Sequence, residues 1–209
     1  MAIAINGSGT VTGISVGGLP DGIVDAGTLA SNAVETAKIN ASAVTVAKAS
    51  GSVKGIQEVD QWRINTNLTI GAGGTDLTSN WERNDSGFEV IGTGMSESSG
   101  IFTFPSTGKW VVDYRSMCHD TDPSRYGGII IYFTTNNSSY NNIGESFGGI
   151  FDKSGDNVYA AFSAYAIVDV TNTSTHKCKF WVGAENQALF NGASDGQRTG
   201  VTFTRLGDT

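Results

Sequence analysis

The sequence predicts an all-β protein, a C-terminal antiparallel jelly-roll sandwich preceded by an N-terminal repetitive stalk and a β anchor. Three observations lead there. Only 16% of residues are charged, while Gly is abundant (28) and Pro rare (3). That is the composition of short strands joined by tight turns; long surface helices need far more Lys, Glu and Arg. Runs in the C-terminal part alternate apolar and polar residues with a period of two. The chain also changes character near residue 55: residues 1–55 contain no aromatic residue, and the remainder holds all four Trp, ten Phe and six Tyr.

From the N-terminus, residues 1–28 form the first element. Ile5–Gly22 alternates β-branched residues with Gly and Ser, and Pro20-Asp21-Gly22 is a turn signal. A small β element that docks onto something larger is expected. Residues 29–55 form the second. Asn32–Ala41 aligns over Ser42–Gly51 with Ala33/Ala43, Val34/Val44, Ala37/Ala47 and Lys38/Lys48 identical, a period of ten, and Val24, Leu29, Val34, Ile39 and Val44 fall five apart. Without aromatics such a segment builds no core of its own; fixed-period units bury their apolar face by stacking on neighbours. The period is neither seven nor 3.6, so a regular coiled coil is not implied. An irregular or β-rich intertwined stalk, an Ala-rich helical stalk and a flexible linker all remain open.

The opening Met1–Gly22, followed by Asn-Ala-Val-x-Thr-Ala-Lys-Ile repeats, resembles the N-terminal segments of bacteriophage tail-fibre and related virion-appendage proteins. The resemblance covers about the first quarter of the chain. It implies a virion anchor in residues 1–28, contacting other virion proteins, and a threefold stalk.

Residues 56–209 are expected to be the head. Strand-like runs lie at Ile101–Phe104, Lys109–Met117, Gly128–Thr134, Phe147–Phe151, Asn157–Val170, Lys177–Val182 and Val201–Leu206. Val158, Ala160, Phe162, Ala164, Ala166, Val168 and Val170 share one face, against Tyr159, Ser163, Tyr165 and Asp169 on the other. Trp110, Val112 and Tyr114 alternate likewise with Asp113 and Arg115, as half-buried antiparallel strands do. Polar loops at 135–139 and 152–157 separate the strands. The segment Gly100–Trp110, with Phe102, Pro105, Gly108 and Trp110 in strand–turn–strand order, resembles the complement globular-head family, which shares its trimeric ten-stranded jelly roll with tumour necrosis factor. Over roughly 56–209 this implies a homotrimer binding through exposed loops, although the family's closing motif is only loosely echoed at Gly200–Leu206.

Chemistry is sparse. Net charge is −7 with no Lys/Arg cluster, which argues against nucleic acid as a partner. No run approaches a membrane span, and Met1–Ile5 is too short and unflanked for a signal core; virion localisation after assembly in a host cytoplasm is expected. No nucleophile elbow, zinc-protease motif or P-loop occurs, so neither catalytic residues nor a cofactor is expected. Paired carboxylates for glycoside hydrolysis carry no signature, and nothing here singles out two acids. Asp120 and Asp122, in His119–Arg125, read as a polar loop or an oxygen-ligand calcium site. Cys118 and Cys178 read as small buried hydrophobes or a disulfide. For recognition, Trp62, Trp81, Tyr126, Tyr140 and Trp181 lie near turns, and Asn136, Asn137, Asn141 and Asn142 flank Tyr140; these Asn residues and Tyr140 are the candidate receptor contacts, for a glycan or a protein. The expected function is a virion structural protein, a short trimeric tail fibre or receptor-binding appendage. The alternative is a capsid decoration protein, a head fibre or cement protein of the same construction.

Overall fold

The computed structural model describes residues 55–120, 124–151, 156 and 158–209, together with Val34, Ile39, Ala43 and Val44. The expected anchor and nearly all of the expected stalk lie outside the described residues, as do Asp122 and the side chain of Asp120 in the candidate calcium loop. The chain divides into two units, Met1–Ala49 and Ser50–Thr209. In the first, Val34, Ile39 and Val44 are 53%, 42% and 59% exposed.

In the second unit the period of two becomes burial. Along Val158–Val170 the even positions from Phe162 onward are buried and the odd ones exposed. The described residues form thirteen strands and no helix: β1 (Val59–Ile64), β2 (Leu68–Ile70), β3 (Gly73–Asp76), β4 (Trp81–Arg83), β5 (Ser96–Ser98), β6 (Ile101–Thr103), β7 (Gly108–Asp120), β8 (Ser124–Thr134), β9 (Asn141–Ile150), β10 (Val158–Val170), β11 (Lys177–Ala184), β12 (Ala188–Phe190) and β13 (Gly200–Gly207). All seven expected runs are strands.

Two antiparallel sheets make a sandwich. In the first, the order runs β2-β12-β7-β13-β1-β4, with β10 also on β7. Because β10 pairs with β7 along its whole length from Gly108 to Asp120, β12 and β13 share the opposite edge of β7 end to end. In the second, the order runs β5-β6-β11-β8-β9. There β8 covers one edge of β11 throughout, while β6 and then β3 share the other. An extra residue, Ile143, bulges from β9 where its register against β8 shifts.

The core lies between the sheets. Phe102 sits at its centre, with ring centroids 4.9 Å from Trp81, 5.5 Å from Trp62 and 5.4 Å from both Phe180 and Phe203. Such edge-on and tilted pairs are the favoured aromatic geometries. The strand–turn–strand motif closes the other side: Phe104 packs on Trp110 at 5.3 Å, and the Trp110 indole donates to the Ser106 carbonyl at 3.2 Å. Gly108 between them has φ +141°, and a Cβ there would stand 2.4 Å from the Gly207 carbonyl, so the turn requires glycine.

Cys118 and Cys178 are both fully buried and remain thiols, so they are the two small core hydrophobes and not a disulfide. Burial pushes the Cys178 thiol well up.

Candidate functional site

A strand of alternating polarity offers one face to the core and the other to solvent, so functional side chains here must stand on the two outer faces or the loops. The candidate loop follows β8. Asn136 Oδ1 accepts from the Thr134 hydroxyl at 2.9 Å and from the Ser138 and Ser139 amides at 3.0 and 2.8 Å. That carboxamide oxygen organises its own loop. Asn137 sits at the exposed tip with φ 57°, its amide bonded to the Thr175 carbonyl at 3.0 Å. Asn141 and Asn142 stand in β9 rather than in a loop; Asn142 Oδ1 accepts from the Gly144 amide at 3.1 Å. All four Asn candidates are exposed, although Asn136 and Asn142 also bond their own neighbours, and Tyr140 is half-buried and turns toward the second sheet.

Tyr140 leads into a groove on the outer face of that sheet. Along β11, Lys179 and Trp181 alternate with buried Cys178, Phe180 and Val182, so both point outward. Register puts Lys179 opposite Tyr132 of β8, and Trp181 opposite Asp76 of β3. Lys179 Nζ meets Asp76 Oδ2 at 2.7 Å, and lies 4.9 Å from the Tyr140 ring centroid and 5.3 Å from that of Tyr132. Two ring faces and one carboxylate therefore hold the ammonium. Desolvation holds the Tyr140 phenol above its ordinary range, with the Cys178 and Asp76 side chains adding to it. Its hydroxyl is shut off from solvent and has no hydrogen-bond partner among the described residues. Trp181 forms the far wall: a Cβ on Gly74 or on Gly183 would stand 1.9 Å from its ring, so the indole lies against the backbone where two glycines make room. The groove is shallow and open to solvent, with a volume of about 530 Å³ and Thr75 also on its lining. Beyond it the rings continue, Phe147 at 6.1 Å from Trp181 and Tyr126 at 6.3 Å from Phe147.

Of the turn aromatics, Tyr140 and Trp181 line this groove and Tyr126 ends the row of rings. Trp62 and Trp81 instead pack against the core. Sequence reasoning missed Asp76, Tyr132 and Lys179, which only strand register brings together.

The outer face of the first sheet differs in kind. On β10, Tyr159, Tyr165 and Ile167 are 59%, 58% and 56% exposed. They lie opposite His119, Asp113 and Val111 of β7. Three large apolar side chains aligned on the solvent side of one strand form a patch of the sort that marks an interaction surface.

No family model and no curated protein matches the chain. Solved structures do. An Eiger TNF from S. frugiperda superposes with a TM-score of 0.55 at 10% identity, covering 72% of this chain and 93% of that one. Murine APRIL, in crystals at pH 5.0, superposes at 0.50 with 12% identity, covering 71% and 98%. At these identities the likeness is one of fold: the head is a jelly roll like those of the tumour necrosis factor group, as the Gly100–Trp110 motif implied. Its described residues carry thirteen strands where that resemblance implied ten, the excess lying in strands of three or four residues.

Proposed function

We propose that the chain is a non-enzymatic virion structural protein: a trimeric fibre or receptor-binding appendage whose head meets the host surface. The observation that carries the oligomer is the uncovered stripe of Tyr159, Tyr165 and Ile167 on β10. A single copy leaves that stripe in water, and packing against further copies removes it. Val34, Ile39 and Val44 are exposed in the same way in the repeat segment. The number three follows the jelly-roll resemblance, and the virion assignment follows the N-terminal repeats. In this reading residues 1–28 grip the particle and 29–55 form the stalk.

Two measurements test this. Light scattering of the full-length protein is expected to give three times the 21.8 kDa chain mass; a monomer at micromolar concentration overturns the assembly. Antibody-labelled electron microscopy of particles is expected to place the protein at the tail. Label on the capsid shell favours the decoration alternative, and absence from purified particles overturns the virion reading.

A further inference from the structure

We propose that the groove between Tyr140 and Trp181 is a binding site for a neutral saccharide, an assignment that deepens the host-contact function above and rests on it. The ring positions come first. A pyranose presents faces of weakly positive C–H groups, which suit the electron-rich face of an aromatic ring. Here Trp181 is laid against Gly74 and Gly183 and supplies the stacking ring, while Tyr140, whose ring Lys179 Nζ already overlies, lines the groove beside it. Cross-strand packing alone explains the contact of Trp181 with Phe147. It does not explain an open groove of about 530 Å³ beside these rings.

The polar groups come next. The side chains of Asp76 and Lys179 are 35% and 26% exposed, so their pair faces the groove and is not sealed beneath it. A carboxylate and an ammonium 2.7 Å apart offer an acceptor and a donor side by side. Adjacent sugar hydroxyls, each able to give and to accept, match that arrangement through charge-assisted bonds. The pair is also neutral overall. An acidic sugar entering here would bring its carboxylate against Asp76, so the geometry selects uncharged rings. Last is location. The groove stands on the second sheet, and the apolar stripe of β10 on the first, on the opposite side of the sandwich. The groove is therefore not part of the β10 stripe.

The test titrates the full-length protein with maltotriose, chitotriose, mannotriose and lactose, and with 3′-sialyllactose as the acidic probe, by saturation-transfer NMR and tryptophan fluorescence. At least one neutral sugar is expected to bind, with 3′-sialyllactose weaker. Trp181→Ala is expected to weaken binding about tenfold or more through the lost stacking surface, and Asp195→Ala, at an exposed side chain off the groove lining, to leave it unchanged. Asp76→Asn keeps the shape but leaves Lys179 uncompensated, so preference should move toward 3′-sialyllactose, a change that loss of folding does not produce. No binding by any neutral sugar overturns the assignment. So does wild-type preference for 3′-sialyllactose, or unchanged affinity in Trp181→Ala. If no sugar binds while the soluble protein still blocks particle adsorption, the appendage reading stands and the groove assignment falls. If a sugar binds but the chain is absent from particles, the reverse holds.

Discussion

Asp60 and Arg63, an acidic and a basic side chain on the same strand β1, are buried to 1% and 0% exposure. Burial of an ion is tolerated only with full hydrogen bonding. Asp60 accepts from the Gln61 amide, the Trp62 indole, the Arg83 guanidinium and the Met95 amide, the last at 2.7 Å. Arg63 donates to Glu82, Asn84 and Asp85. The two differ in what removal leaves behind. Asp60→Ala strands a half-buried indole N–H and a buried amide, and is expected to lose about 3–5 kcal/mol, read from urea unfolding. Arg63→Met leaves Glu82 and Asp85, whose side chains are 26% and 73% exposed and can hydrate, so its loss should be the smaller. Equal losses would contradict this account. Cys178 adds a pH dependence. Burial raises its thiol above the unfolded value of about 8.5, so the folded state holds that proton more tightly. Its contribution is intact below that pH and declines as pH rises past it; Cys178→Ala should flatten the alkaline decline of the unfolding free energy.

At the scale of elements, the turn between β6 and β7 depends on one residue. Gly108→Ala places a side chain at φ +141° and against the Gly207 carbonyl of β13, and should cost about 1–3 kcal/mol from backbone strain alone. A thermal midpoint unchanged from wild type would refute it. That turn was legible because its Pro and Gly punctuate two apolar runs. Long strands such as β7 and β10 were legible for the same kind of reason, since many residues repeat the alternation. β2, β3, β4, β5 and β12 were not, because three or four residues cannot display a period. β1 was hidden differently: buried Asp60 and Arg63 break its apolar pattern. β9 was read only from Phe147, since Gly144 and the polar Asn141, Asn142 and Glu145 dilute its beginning. Half of the groove was visible as aromatics near turns, Tyr140 and Trp181. Asp76 and Lys179 lie far apart in sequence, and only the pairing of β3 with β11 makes them neighbours.

For the whole molecule, the sandwich has two outer faces with opposite chemistry. The second sheet carries an aromatic groove lined with an ion pair, and the first an exposed row of Tyr159, Tyr165 and Ile167, with Asp113 across from Tyr165. Water-exposed rings and an isoleucine add little to the fold of one copy, because their side chains point away from the core. Replacing them should therefore separate assembly from folding. Tyr165→Glu with Ile167→Glu puts two charges into a surface that association would desolvate, a penalty several times larger than any they impose on the isolated strand. The double variant is expected to keep the far-ultraviolet circular dichroism of the wild type while its light-scattering mass falls to that of one chain. A variant that remains trimeric would show that the copies meet through a different surface, and a variant that unfolds would show that the stripe belongs to the core of a single copy.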